Sequence, residues 1–223
     1  MSAPVDILVT GFGPFPHVRI NPTAVLARLV ARHLRRSGWS AQALVLETSY
    51  AGGLPALGTA LAQMRPKAVL MLGVAARSRS IRVELFGRGH ASPLHPDASG
   101  GTPGRATRAA SLPLRTRAGP EAALSRLRQA GVHAQLSASA GRYLCDASYA
   151  LALRTMAPTT SPVLFIHVPW LRPRPGQRRV ERVADFRPDR NALAQALAQI
   201  GAGLARQGRP GRAAMAQERR HDP

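Results

Sequence analysis

Apolar and polar positions divide the chain into short apolar runs alternating with longer helical stripes. Asp6 to Thr10 reads as a buried strand, stopped by Gly11-Phe12-Gly13-Pro14-Phe15-Pro16. A helix follows. Asn21 suits the N-cap, Pro22 the first helical position, and Val25, Leu26, Leu29, Val30 and Leu34 form one stripe that Ser37-Gly38 ends. Ala43 to Thr48 predicts a second strand, Leu54 to Met64 a second helix, and Ala68 to Leu72 a third, wholly apolar strand stopped at Gly73. Strand and helix in alternation imply parallel strands with helices on both faces of a sheet. Ser80 to Phe86 alternates apolar and polar, as a further strand nearer an edge does.

Residues 87–117 carry little periodicity and read as a long functional or mobile loop. Pro120 to Gln129 predicts a short helix with Leu124 and Leu127 on one side, and Val132 to Ser139 a strand that reaches a turn at Gly141. A helical pattern (Tyr149, Leu151, Leu153, Met156) begins just after it. Pro162 to Pro169 is the last buried strand, and Asp189 to Arg206 a final amphipathic helix carrying Leu193, Leu197, Ile200 and Leu204. These elements make one α/β domain over residues 1–206, followed by a basic tail, 207–223, with no apolar pattern and expected to be disordered.

Composition narrows the function classes. The single cysteine, Cys145, rules out an internal disulfide, and the opening residues have neither a basic n-region nor an apolar h-region, so a cytoplasmic protein is expected. No apolar run approaches the ~20 residues that span a bilayer. The formal charge of +20 points toward polyanions. Yet Lys67 is the only lysine, the arginines are scattered, and their densest groups (172–179 and 206–220) lie in Pro/Gly-rich stretches without aromatics for base stacking. Weak attraction to polyanions follows, but no dedicated nucleic-acid site.

Candidate chemistry centres on Ser139-Ala-Gly-Arg-Tyr-Leu-Cys145. The turn leaves Cys145 in the first turn of a helix, where free N–H groups and the positive dipole end favour a thiolate. Ligands of parallel α/β sheets sit outside the carboxyl ends of the strands. Phe12, Phe15, Thr48, Cys145 and His167 all fall at or just beyond such ends. His167 interrupts an apolar strand and can take the thiol proton, provided a carboxylate orients its ring. Asp146, Asp97 and Glu84 are the candidates, with a mild preference for Glu84 because it sits between Val83 and Leu85, where a carboxylate needs a partner. His90, His95 and Asp97 could form a zinc set, but their spacing matches no strong ligand signature, so no metal is expected. Gly11-Phe-Gly13 looks faintly like a dinucleotide fingerprint, and Pro14 and Pro16 argue against it.

Several pieces in order, Thr10-Gly-Phe-Gly-Pro-Phe15, Asn21-Pro-Thr23, Leu72-Gly73, Glu84, Pro96-Asp97, Leu112-Pro113, Ser139 to Cys145 and Phe165-Ile-His-Val-Pro169, resemble type I pyroglutamyl peptidase, also called pyrrolidone-carboxylate peptidase. The resemblance implies a three-layer α/β/α sandwich with a mostly parallel, mixed, twisted sheet. It also implies a cysteine peptidase, without cofactor, that removes N-terminal 5-oxoproline from peptides. Its nucleophile maps onto Cys145, its base onto His167 and its orienting carboxylate onto Glu84, with Phe12, Phe15, Thr48, Tyr143 and Leu144 holding the lactam. Dimers or tetramers are implied too. The family's Gly-Gly after Pro-Phe is here Pro16-His17, the Asn after the cysteine is Asp146, and the Arg after the glutamate is Leu85. An arginine implicated in steadying the oxyanion is Leu94, for which Arg88 or another loop arginine is a candidate substitute. With these departures and the high charge, the second reading is a diverged member that binds acidic peptide or nucleic acid.

Overall fold

The computed structural model describes residues 5–16, 18–104, 112–173 and 186–208. Its strands are β1 (Ile7–Phe12), β2 (Ala41–Leu46), β3 (Val69–Val74), β4 (Ile81–Glu84), β5 (Phe86–Gly87), β6 (Leu114–Arg115), β7 (Ala134–Ser137) and β8 (Val163–Val168). The helices are α1 (Pro22–Arg36), α2 (Tyr50–Met64), α3 (Pro120–Gln129), α4 (Leu144–Met156) and α5 (Arg190–Gln207). One six-stranded sheet has the order β2-β1-β3-β8-β4-β7, and β5 pairs with β6 in a small ribbon. The expected loop after Gly87 is thus partly organised; residues 105–111 and the Pro16-His17 substitution's His17 lie outside the described set, as does the tail beyond 208.

β1, β2, β3 and β8 are parallel, whereas β4 runs antiparallel to β8 and carries β7 with it. The reversal has a local cause. The β3–β4 connection, residues 75–80, is far shorter than the dozen or more residues a parallel crossover requires.

Strand parity sorts the side chains into two cores. Ile7, Val9, Leu70, Leu72, Val83, Leu164 and Ile166 pack under α1, α3 and α5. Leu8, Phe12, Val69, Met71 and Phe165 pack under α2 and α4. A sheet covered by helices on both faces is the three-layer α/β/α arrangement. Each fully buried leucine, isoleucine or phenylalanine contributes about 1.5–3 kcal/mol relative to exposure. Arg82, Glu84 and His167 fall on the same parity as Phe165, so the polar groups of interest all point to the α2/α4 side.

The ends of the elements follow their chemistry. Asn21 caps α1 by accepting from Thr23 N, as expected. α2 starts at Tyr50, four residues before the apolar stripe, because the Ser49 hydroxyl accepts from Gly52 N and supplies a cap that Gly52-Gly53 and Pro55 obscure in the sequence.

Candidate active site

Cys145 does occupy the first turn of α4, but not because its strand ends at the common rim. β7 points the other way, and residues 138–143 double back, with the Ser139 carbonyl accepting from Arg82 Nη2 at 3.3 Å. The N-cap residue, Tyr143, offers no side-chain cap, so the amides of this turn are not satisfied by a side chain.

His167 sits next to the last position of β8, opposite Gly73 on β3. A Cβ at Gly73 would lie 2.7 Å from the Phe165 ring and 3.0 Å from His167 Cδ2, so glycine is what admits the imidazole beside β3. On the other flank, Nδ1 of His167 lies 2.8 Å from Glu84 Oε1. Nδ1 therefore carries the proton and donates it to the carboxylate, leaving Nε2 as the basic nitrogen.

Glu84 is 0% exposed, so its charge has to be matched inside the protein. Arg82 matches it: Nε lies 3.0 Å and Nη2 2.9 Å from the same Oε1. Its Nη2 is also 3.4 Å from His167 Nδ1. With both nitrogens protonated, that last approach places a positive charge beside the ring and is not a hydrogen bond. Oε2 has no partner among the described residues.

The other carboxylates have different tasks. Asp146 is buried and accepts the backbone N–H groups of Arg88 and His90, one on each oxygen, which ties that segment to α4. Asp97 accepts from the backbone of Tyr50, Ser99 and Gly101 and from the Ser99 hydroxyl. It thereby fastens the 92–101 segment over the start of α2. With Asp97 so engaged, His90, His95 and Asp97 form no metal set, and no cluster of three or more such side chains able to hold a metal occurs among the described residues.

Burial favours the neutral forms of both Cys145 and His167. Burial, then the negative charge of Glu84, push the Cys145 thiol up to about 12, and Asp146 adds to this while Arg82 opposes it. The thiolate expected from the helix start is therefore outweighed by desolvation and by nearby carboxylates. Burial lowers the His167 imidazole below its ordinary range even though Glu84 pulls it upward.

Phe12, Phe15, Thr48, Tyr143, Leu144, Cys145 and His167 line one cleft of about 580 Å³. Thr48 donates its hydroxyl to Gly13 O at 3.0 Å and Asn21 Nδ2 donates to the same carbonyl at 3.0 Å, which fixes the loop that carries Phe12 and Phe15. Tyr143 meets Tyr50 edge to face at 5.9 Å, and its hydroxyl donates to Pro96 O. Phe15 and Val18 pair through their backbones, closing the turn that contains Pro16. Arg82 also lines the cleft and is the site residue that sequence reasoning missed. Leu94 is 83% exposed and away from the cleft wall. Arg88 does not replace the arginine expected there: its guanidinium bonds the Ala138 carbonyl and lies 5.5 Å over the Phe86 ring.

The chain is also similar to proteins of a known family. A family model described as pyroglutamyl peptidase matches residues 5–182. A pyrrolidone-carboxylate peptidase of Streptomyces coelicolor is 33% identical over 74% of this chain and 77% of its own. One of Gloeobacter violaceus is 32% identical over 74% and 82%, respectively. The crystal structure of pyrrolidone carboxyl peptidase from Thermus thermophilus superposes with a TM-score of 0.70 at 27% identity, covering 89% of this chain and 99% of that one.

Proposed function

This chain belongs to the pyroglutamyl peptidase family, and we propose that it removes an N-terminal 5-oxoproline residue from peptides with Cys145 as nucleophile, His167 as proton carrier and Glu84 as the group that orients His167. The observation that carries this reading is the buried 2.8 Å bond between His167 and Glu84 in the cleft that Cys145 lines.

The reaction begins from a neutral thiol and a neutral imidazole. As the Cys145 sulfur attacks the carbonyl carbon after the lactam ring, its proton passes to His167 Nε2, and Glu84 stabilises the imidazolium that forms. The carbonyl oxygen takes the negative charge, and the uncapped first-turn amides of α4 are the donors at hand. His167 then protonates the departing amine, the C–N bond breaks and a thioester remains. Water, deprotonated by His167, attacks the thioester; 5-oxoproline leaves and Cys145 recovers its proton.

The lactam is small and neutral, so aromatic walls and a few hydrogen bonds hold it better than a charged clamp. Phe12 and Phe15 supply walls, Leu144 and Tyr143 close the side nearest the nucleophile, and Thr48 supplies a hydroxyl oxygen. The test is release of a fluorogenic amine from its pyroglutamyl amide, with the prolyl amide as control. Cleavage of the pyroglutamyl compound alone is expected; equal cleavage of the prolyl compound would contradict the lactam pocket.

A further inference from the structure

We infer that the half of the cleft receiving the leaving peptide selects for negative charge, so that favoured substrates carry a carboxylate on the residue after 5-oxoproline. This rests on the reading of the site given above, and sheet order fixes which half is meant. Along the cleft, Thr48 follows β2, Phe12 ends β1, Ala75 to Ser78 follow β3, His167 lies on β8, Arg82 on β4 and Gln135 on β7. The lactam walls stand at the β2–β1 end. His167 hands a proton to the departing amine, so the peptide attached to that amine runs past β8 toward Arg82 and Gln135, with Arg77 at the rim.

Among the described residues, the charged side chains lining that half are arginines. Arg77 is exposed and has no hydrogen bond or ion pair among the described residues. Arg82, its side chain 28% exposed, commits Nε and Nη2 to Glu84 and Ser139, while its Nη1 makes no hydrogen bond among the described residues. No aspartate or glutamate lines the cleft among the described residues, and Glu84 beneath it is already matched by Arg82. A carboxylate arriving there meets the Arg77 guanidinium and the free Nη1 edge of Arg82, with no like charge on the described lining. Guanidinium donors left partly free in a cleft raise both encounter rate and affinity for an anion, while a lysine side chain there is repelled.

The experiment compares kcat/KM for three C-terminally amidated dipeptides, pyroglutamyl-Glu, pyroglutamyl-Gln and pyroglutamyl-Lys, which differ only in charge after the scissile bond. The Glu peptide is expected to exceed the Gln peptide by about threefold or more, the size an exposed to half-buried ion pair supports, with the Lys peptide slowest. Raising salt from ~0.05 to ~0.5 M is expected to shrink the ratio. Arg77→Glu is expected to move the Glu-to-Lys ratio toward Lys, and Arg77→Ala to give an intermediate value. Equal rates for all three peptides, insensitive to salt, would overturn charge selection while leaving the peptidase reading intact. Failure of the folded protein to cleave any of the three would overturn both.

Discussion

Gly73→Ala is a one-carbon change whose consequence is set by the space beside His167. The new Cβ would sit 2.7 Å from Cε1 and Cζ of Phe165 and 3.0 Å from Cδ2 of His167, where carbon atoms at rest lie about 3.5–4.0 Å apart. Phe165 cannot retreat freely, because it is fully buried with the Tyr149 ring 5.4 Å away. His167 cannot turn without lengthening its 2.8 Å bond to Glu84. Overpacking of this kind costs about 1–3 kcal/mol, and each kcal/mol lowers Tm by about 2–4 °C in a domain of this size. Displacing a reacting group by ~1 Å costs about 100-fold in rate. The expected result is therefore a Tm lower by several degrees and a kcat/KM on the fluorogenic pyroglutamyl amide reduced about 100-fold. The paired control is Gly58→Ala, on α2, where an added Cβ meets no heavy atom within 4 Å. That change should leave kcat/KM alone and stabilise the helix by about 0.5–1 kcal/mol. Wild-type kcat/KM and Tm for Gly73→Ala would refute the argument that this glycine makes room for the imidazole.

Other consequences are equally specific. Because burial and Glu84 push the Cys145 thiol up to about 12, its alkylation by iodoacetamide in the absence of substrate should accelerate about tenfold per pH unit across the neutral range. A plateau between about pH 6 and 9 would instead reveal a preformed thiolate–imidazolium pair. Burial lowers His167, so the acid limb of kcat/KM should fall below the ordinary imidazole value of about 6.5. Asp97→Asn leaves Oδ1 to accept from the Ser99 and Gly101 amides but puts an NH2 donor where Oδ2 accepts from the Tyr50 amide, and should cost about 1–3 kcal/mol in chemical denaturation at pH 7. Burial raises the Asp97 carboxyl, but its hydrogen bonds to Ser99 and the backbone prevail and lower it. Its contribution is therefore present above the unfolded value of about 3.9, and the difference between wild type and variant should shrink as pH falls through the lowered folded value.

Much of this arrangement is written in strand parity. In Ile81 to Glu84, the apolar residues take one face, so Arg82 and Glu84 must share the other; in Val163 to Val168, His167 shares its face with Phe165. Applied pairwise, that rule separates Glu84 from Asp97 and Asp146 and brings Arg82 in with it. Two features were less legible. Asp146 holds the backbone N–H groups of Arg88 and His90 in a segment with no periodicity, and Asp97 reaches the Tyr50 amide at the start of α2, so no periodic pattern marks these partners. The reversal of β4 and β7 is signalled only by the shortness of residues 75–80, since a strand's own sequence does not state its direction. The position of Cys145 was legible from the turn and the helical stripe, but its protonation state was not. Asp146 is its neighbour in the chain, but the burial that decides it first, and the charges of Glu84 and Arg82, come only with tertiary folding.

The most direct test compares turnover of the fluorogenic pyroglutamyl amide by wild type, Cys145→Ala and His167→Ala, each shown to be folded. Acyl-enzyme is sought in the same samples by mass spectrometry of the Cys145 peptide. Turnover by wild type alone, with a pyroglutamyl adduct on Cys145, is the predicted result. Substantial turnover by Cys145→Ala, or wild-type turnover with an adduct on another residue, would contradict the assignment of Cys145 as nucleophile.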